Sequence, residues 1–370
     1  MIRFLRLRRP LPRFSSSASS SAASSSFSTT AGGGGAAGNK DKVVVTCSVN
    51  GVLTDPARFS VPVTPDEMAR SCADAFSAGA SVAHIHFRDQ RPGRGGEATW
   101  DPRVARDVAR AIRDRVPDML LNFTTGTIEG LPGAGSGGPL GPTGGPISCF
   151  DLNASSSEAD VEEDDGDVLL PRVRGPEMAA LNSGSLNYLR ATRSGEWAWP
   201  PLMFENRVDK VQTMIEAMAA RGIVPECECF DTGIVRSIRM YEDVGILKLP
   251  YTVSLVMGVA SGMPCDPRWV PLLAEMVNPK AQWQAICIGR EEVWETLRVA
   301  CELGGNVRTG LEDTFYLPDG TRNTKGNGEL IEHLVKMCRE VGREPATAAE
   351  TREIIGWNAL NADPSNLGRL

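Results

Sequence analysis

Val43-Val-Val-Thr-Cys-Ser-Val49, then Thr64-Pro-Asp-Glu67, then Ser81-Val-Ala-His-Ile-His-Phe87: these three pieces decide the fold. The first is β-branched and apolar nearly throughout, the pattern of a strand buried on both faces. The second is a helix start, with Thr64 as N-cap, Pro65 at the first helical position and Glu67 completing a capping box. That helix is expected to run to about residue 78 and to stop at Gly79. The third piece is the next strand. A strand, a helix and a second strand make a β–α–β unit, whose strands lie parallel because the right-handed crossover lays the helix against the sheet.

The same grammar repeats outward from there. Asp101-Pro102 opens a helix to about residue 116, and residues 119–123 form a third strand. Further strands are expected at 178–181, 224–229, 251–256, 281–288 and 306–309. Helices are expected at 208–221, 233–244, 268–277, 291–303 and 328–341. Eight strands, mostly followed by helices, close naturally as an α/β (β/α)8 TIM barrel. An open doubly wound sheet is the alternative, but no Gly-x-Gly-x-x-Gly follows the first strand.

The ends and the middle of the chain differ in character. Arg3, Arg6, Arg8, Arg9 and Arg13 are interleaved with Phe and Leu, a Ser/Ala run follows, and the first acidic residue is Asp41. An acid-free, Arg- and Ser-rich start is the composition of an organellar transit peptide. A mitochondrial address is expected, with plastid as the alternative. The plain reading of the same residues is a tail without an address. Residues 1–41 are therefore set apart and the barrel is expected over 42–370. It is interrupted at about 130–167 by a stretch rich in Gly, Pro, Ser and acid, read as a solvated insertion that adds nothing to the core.

The formal net charge is −7, and no basic face of a nucleic-acid binder shows in the body of the chain. A small acidic substrate is compatible with that charge, because a local Arg or metal attracts an anion. No apolar run reaches the roughly 18 residues of a membrane span. The nine cysteines form no C-x-x-C pair and read as free thiols of a reducing compartment. Cys227 and Cys229 share a strand face and read as buried thiols rather than ligands.

Chemistry concentrates at strand ends. The chain has three histidines. His84 and His86 stand two apart at the end of the second strand, so they share a face at the active-site rim of a parallel barrel and can bind one metal ion. Two core histidines bonded to backbone are the bland alternative. His333 lies among charged helix neighbours and reads as a surface residue. A third ligand must be Asp, Glu or Cys from another strand end. Arg308-Thr-Gly-Leu-Glu312-Asp313 follows the last strand: one carboxylate can bind metal, the other can act as base, and Arg308 can hold an anion. A capping loop with a surface ion pair is the competing reading. Thr124, Thr125, Asn182, Ser261 and Gly262 also follow predicted strands. Glu226 and Glu228 share a face of the fifth, and a carboxylate in an apolar strand is costly unless paired or functional.

Taken in order, several segments resemble the β-keto acid cleavage enzymes, which include the 3-keto-5-aminohexanoate cleavage enzyme. They are Thr46-Cys-Ser-Val-Asn-Gly51, His84-Ile-His-Phe-Arg88, Thr124-Thr-Gly126, residues 176–187, Pro225-Glu-Cys-Glu228, Gly258-Val-Ala-Ser-Gly-Met263, Ile288-Gly-Arg290 and Arg308-Thr-Gly-Leu-Glu-Asp313. The resemblance spans about 42–358. It implies a zinc (β/α)8 barrel, commonly a homotetramer, with His84, His86 and Glu312 as ligands. It implies Asp313 as base, assisted by Arg308 and Glu228, and acetyl-CoA as co-substrate, with Thr124 where the family has a substrate-contacting Ser. The reaction implied joins a β-keto acid with acetyl-CoA and yields acetoacetate and a new acyl-CoA. Two positions depart from the aminohexanoate enzyme. Leu53 stands where that enzyme has a carboxylate for the substrate amine, and Ala180 replaces a hydroxyl. An uncharged acyl chain is therefore expected. Two rivals are a metal-dependent hydrolase of the amidohydrolase type, which needs more histidines than remain, and a non-catalytic metal- or metabolite-binding barrel.

Overall fold

The structure, a computed structural model, describes residues 41–126, 145–152 and 172–362. Nearly all of the candidate transit segment and most of the acidic insertion lie outside the described residues.

Eight parallel strands close a barrel in chain order: β1 (Val45–Ser48), β2 (Val82–Ile85), β3 (Leu120–Phe123), β4 (Met178–Asn182), β5 (Val224–Cys229), β6 (Thr252–Met257), β7 (Gln282–Cys287) and β8 (Asn306–Thr309). β8 pairs with β1 through Arg308↔Thr46 and completes the ring. Every strand expected from the sequence is present, with ends moved by a residue or two.

Seven helices pack outside: α1 (Pro65–Ala78), α2 (Pro102–Arg115), α3 (Val208–Ala219), α4 (Thr232–Asp243), α5 (Val270–Met276), α6 (Glu292–Glu302) and α7 (Asn327–Glu340). The capping box of α1 forms as read, with Glu67 N donating to Thr64 Oγ1 at 3.3 Å and Thr64 N to Glu67 Oε2 at 2.9 Å. The helix expected at 268–277 is split into a 3-10 turn, Pro267–Trp269, and α5. Pro271, with no N–H to give, breaks the continuity between them. No helix among the described residues is long and apolar enough to cross a membrane.

Alternation along the strands builds two cores. Outward residues such as Ile85, Phe123 and Leu181 meet the helices in the larger one. Inward residues Val82, Leu120, Met178 and Val224 form a smaller cluster at the floor of the bore. Ala348 and Ile355 plug that floor from α8 (Ala348–Ile354) and the residues beside α9 (Trp357–Asn361), two helices the sequence reading did not foresee. Two residues up, three of these four strands turn polar inside, with His84, Asn122 and Glu226 following Val82, Leu120 and Val224, while Ala180 follows Met178. The bore therefore runs from an apolar base to a charged mouth.

At the base, just before β4, Glu177 is buried and meets three arginines: Arg113 at 2.7 Å, Arg174 at 3.1 Å and Arg352 at 3.1 Å. It also accepts from Leu121 N at 2.9 Å.

Three features depart from expectation. Within the stretch read as a solvated insertion, Cys149, Phe150 and Leu152 are buried in the main core, and Asp151 pairs with Arg221 at 2.6 Å. The surrounding acid and glycine masked three apolar side chains. A one-turn helix, Gly145–Ser148, is the only helix described between β3 and β4. After β4, Leu186–Tyr188 pairs antiparallel with Leu202–Phe204 as a ribbon over the mouth. His333 is half-buried against Trp294, ring centroids 6.2 Å apart, rather than free on the surface.

Candidate metal centre and active-site cavity

β2 ends at Ile85, so its parity carries His84 and His86 into the bore while Ile85 faces the helices. Asn50, just past β1, fixes the backbone at His86 from both sides: Asn50 Nδ2 donates to His86 O and His86 N donates to Asn50 Oδ1, each 3.1 Å. Arg88 is buried and donates to Asn50 O at 3.1 Å, Gly51 O at 2.9 Å and Gly95 O at 2.9 Å, clamping the loop after β1. Glu312 comes from the turn after β8. It can approach because two neighbours lack side chains. A Cβ on Gly51 would lie 2.8 Å from Glu312 Cγ, and one on Gly310 would lie 2.0 Å from Ser48 O.

Three donor atoms meet as a result. His84 Nε2 and His86 Nε2 are 3.2 Å apart, His86 Nε2 and Glu312 Oε1 3.2 Å, and His84 Nε2 and Glu312 Oε2 3.6 Å. Donors around a tetrahedral ion of zinc size stand roughly 3.3 Å apart. Glu312 Oε2 is buried with no hydrogen-bond partner, as an atom waiting for a cation would be. Two imidazoles and a carboxylate therefore fit a metal, with further positions open to substrate. This is the one group of three or more metal-ligating side chains gathered among the described residues.

The charges agree. Burial first, then the Arg308 charge, holds the His84 ring well below the usual imidazole range, so its lone pair is free to bind. Burial opposes the charge on Glu312, but Arg308 and both imidazoles outweigh it and hold the carboxyl well below the usual range. Arg308 is the hub. Its Nη2 reaches Glu312 Oε1 and Asp313 Oδ1 at 3.0 Å each, its Nε reaches Asp313 Oδ2 at 3.1 Å, and its Nη1 reaches Glu228 Oε1 at 3.4 Å. Burial, reinforced by Glu312 and offset by Arg308, pushes Asp313 up to about 6. Burial and the neighbouring Glu226 charge push Glu228 up to about 8.

Below the ribbon lies a cavity of about 270 Å³ whose wall includes His84, His86, Glu312, Arg308 and Glu228. Thr124, Asn182 and Leu53 belong to the wall as well, Leu53 at the rim and 61% exposed. Asp313 does not. It sits behind Arg308 with both oxygens engaged, the second also accepting from Ser48 Oγ at 2.6 Å. Thr125 is turned away and donates to Ala180 O at 2.5 Å. Ser261 and Gly262 are also outside the wall. The Ser261 hydroxyl meets Asn187 O and accepts from Leu189 N at 3.0 Å, tying the ribbon down, while Gly262 packs under Phe230 O. Sequence reasoning assigned no role to Ser48 or Asn50. Their signal is faint: one polar residue each at the end of an apolar strand.

A parallel barrel with two imidazoles and a carboxylate gathered at its mouth defines the layout of a metal-assisted barrel enzyme. Residues 42–357 match the family model of the beta-keto acid cleavage enzyme, and the chain belongs to that family. It is 29% identical over 316 residues to a 3-keto-5-aminohexanoate cleavage enzyme of Fusobacterium nucleatum, covering 85% of this chain and 98% of the relative. It is 28% identical to a 3-oxoadipate:acetyl-CoA acetyltransferase of Cupriavidus necator, covering 87% and 95%. A 3-dehydrocarnitine:acetyl-CoA trimethylamine transferase of Rhizobium meliloti is 29% identical, with 84% and 95% covered. Among solved structures, the apo structure of ObcA superposes with a TM-score of 0.58 at 20% identity. The likeness covers 80% of this chain and 65% of that one and supports the barrel fold.

Proposed function

We propose that this chain is a zinc-dependent C-acyltransferase that joins a β-keto acid with acetyl-CoA and releases acetoacetate and a new acyl-CoA. The observation that carries the reading is the meeting of His84, His86 and Glu312 on a cavity walled by Arg308 and Glu228, in a chain of this family. An open site of two imidazoles and a carboxylate is a zinc donor set. When bound, the metal supplies Lewis-acid polarisation of the substrate's carbonyl oxygens.

The chain's own residues do the rest. Arg308 faces the substrate anion while holding its three carboxylate neighbours. A carboxylate takes the proton from the carbon between the two carbonyl groups, and that carbon attacks the acetyl carbonyl of acetyl-CoA. The CoA thiolate leaves, then adds to the original keto carbonyl. The bond between that carbonyl and the central carbon breaks, and the acetoacetate carbanion recovers the proton. A cavity of about 270 Å³ holds a short keto acid and the acetyl end of the thioester, leaving the rest of CoA outside.

The resemblance gives the base role to Asp313. One observation favours a division of labour: Glu228 is in the cavity wall and Asp313 is behind Arg308. In this reading Glu228 meets the substrate proton, and Asp313 carries the balancing charge through Arg308.

The wall beyond the metal is apolar, with Tyr188, Trp199, Phe204 and Phe230 beside Leu53, and it contains Arg190. Among the described wall residues there is an added positive side chain, and both carboxylates are engaged by Arg308, which disfavours an ammonium group and supports an uncharged acyl chain. The test is a panel of β-keto acids with acetyl-CoA, read by mass spectrometry for new CoA esters, before and after chelation. Acetoacetate and acyl-CoA formed together, and lost on chelation, are expected. Cleavage that proceeds without CoA would replace this reading with the hydrolase.

The proposal extends to address and assembly. The Arg-rich start supports mitochondrial import, with plastid as the alternative, and residues 1–41 fused to a fluorescent protein distinguish them. A homotetramer follows the resemblance, and exposed Trp197 and Met203 offer apolar surface for it. Light scattering in solution gives the mass.

A further inference from the structure

One step below Glu228 in the bore, Glu226 is fully buried with neutral partners. Its Oε1 accepts from Ser254 Oγ at 2.6 Å and Gln284 Nε2 at 2.5 Å, and its Oε2 accepts from Asn122 Nδ2. Gln284 is itself pinned, donating to Ser254 Oγ at 2.9 Å and accepting from Thr46 Oγ1 at 3.3 Å. A carboxylate cannot donate, so the Asn122 amide has one allowed orientation: NH2 towards Glu226, oxygen away from it. Asn122 is the register partner of His84 on the adjoining strand. Its side chain acts on the His84 ring as a hydrogen-bonding neighbour. Yet His84 Nδ1 and Asn122 Oδ1 are both buried without a bond of proper geometry.

These two orphans complement each other once His84 is a ligand. The ring presents Nε2 to His86 and Glu312. An imidazole bound to metal through Nε2 must carry its proton on Nδ1, and that N–H needs an acceptor. Asn122 Oδ1 is the acceptor on hand, already turned by Glu226.

We propose that Asn122 and Glu226 are positioning residues for the metal, a carboxylate–amide–imidazole chain that fixes the tautomer and the aim of His84. The proposal rests on the reading of His84 as a ligand. It explains why a carboxylate is retained deep in the bore, where neutral hydrogen bonds alone must offset its desolvation.

The test measures Zn²⁺ affinity by competition with a chromogenic chelator, and the visible spectrum of the Co²⁺-substituted protein. Asn122→Leu removes the acceptor and is expected to weaken Zn²⁺ binding by about 10- to 100-fold. Asn122→Ser serves the same purpose if the leucine variant does not fold. Glu226→Gln turns a donor towards Gln284 or Asn122 and is expected to weaken binding about tenfold. The double variant Asn122→Asp with Glu226→Gln restores the chain with the central bond reversed: the introduced amide donates to the introduced carboxylate, which still accepts from His84. It is expected to recover affinity to within about threefold of the parent and to restore the Co²⁺ spectrum, which a merely space-filling role would not do.

Parental affinity and spectrum in the leucine or serine variant would overturn the proposal while leaving the metal site standing. Failure of the double variant to recover would also overturn it. A parent that binds no Zn²⁺, like His84→Ala, would overturn both this and the metal reading beneath it.

Discussion

The barrel holds two buried charge clusters that mirror each other in composition. At the mouth one guanidinium, Arg308, meets three carboxylates: Glu228, Glu312 and Asp313. At the base one carboxylate, Glu177, meets three guanidinium groups: Arg113, Arg174 and Arg352. The difference lies in how each disposes of its surplus. The base arginines pass most of theirs on, donating also to Met119 O, Pro117 O and Asp118 O, with Arg174 48% exposed and only Arg113 Nε left buried without a partner. The mouth does not: Glu312 Oε2 has no hydrogen-bond partner and Glu228 is pushed up to about 8. A cluster whose surplus passes to backbone carbonyls and solvent is destabilised when its one carboxylate is removed, and one whose surplus is a buried carboxylate beside two imidazoles is ready for a ligand.

Breaking the mouth should therefore cost activity, and breaking the base should cost stability. The largest effect is expected from Glu312→Gln. Turnover should fall by about 10³-fold or more as the metal is lost. The urea midpoint should fall, but by less than for Glu177→Gln at the base, because Arg308 keeps Asp313 and Glu228 as partners when Glu312 loses its charge. Elemental analysis and a denaturation curve read both halves, and a large loss of stability with metal retained would dissolve the contrast.

Glu228→Gln and Asp313→Asn come next, each expected to lower kcat/KM by about 10²- to 10³-fold. The base must be ionised, so activity should rise with pH. Its limb should lie no higher than about 8 if Glu228 is the base and no higher than about 6 if Asp313 is. A bound cation draws either limb lower. A pH–rate profile of the parent and Asp313→Asn separates the two: persistence of the upper limb in the variant identifies Glu228.

At the base, Glu177→Gln is expected to lose about 3 kcal/mol of stability. Metal content and kcat, measured well below the transition, should match the parent. Smallest is Leu53→Glu at the rim. Because the position is largely exposed, it should shift the kcat/KM ratio towards an amino-bearing keto acid by only about threefold to tenfold. No shift would take Leu53 out of the specificity wall.

Much of this contrast was legible in the sequence, and what was not has physical reasons. The strands were visible because each is a short β-branched run closed by polar residues. The histidine pair was visible because parity needs only two positions. Arg308, Glu312 and Asp313 were visible as a cluster, but not which of them faces the cavity, since that depends on a guanidinium interposed in space. The base cluster was invisible, because Arg113, Glu177 and Arg352 come from distant segments with nothing local to mark them. The ribbon escaped because its strands are three residues each, too short for a period. Ser261 drew a ligand-binding reading from its Gly-rich loop, yet its hydroxyl is spent on that ribbon.

The plug at the floor has a consequence for biogenesis. β1 finds its second neighbour only in β8, and the bore is stoppered by Ala348 and Ile355. A chain emerging from the ribosome cannot seal itself until almost its whole length has been made. Until then β1 lacks its second neighbour and the floor of the bore lacks its stopper.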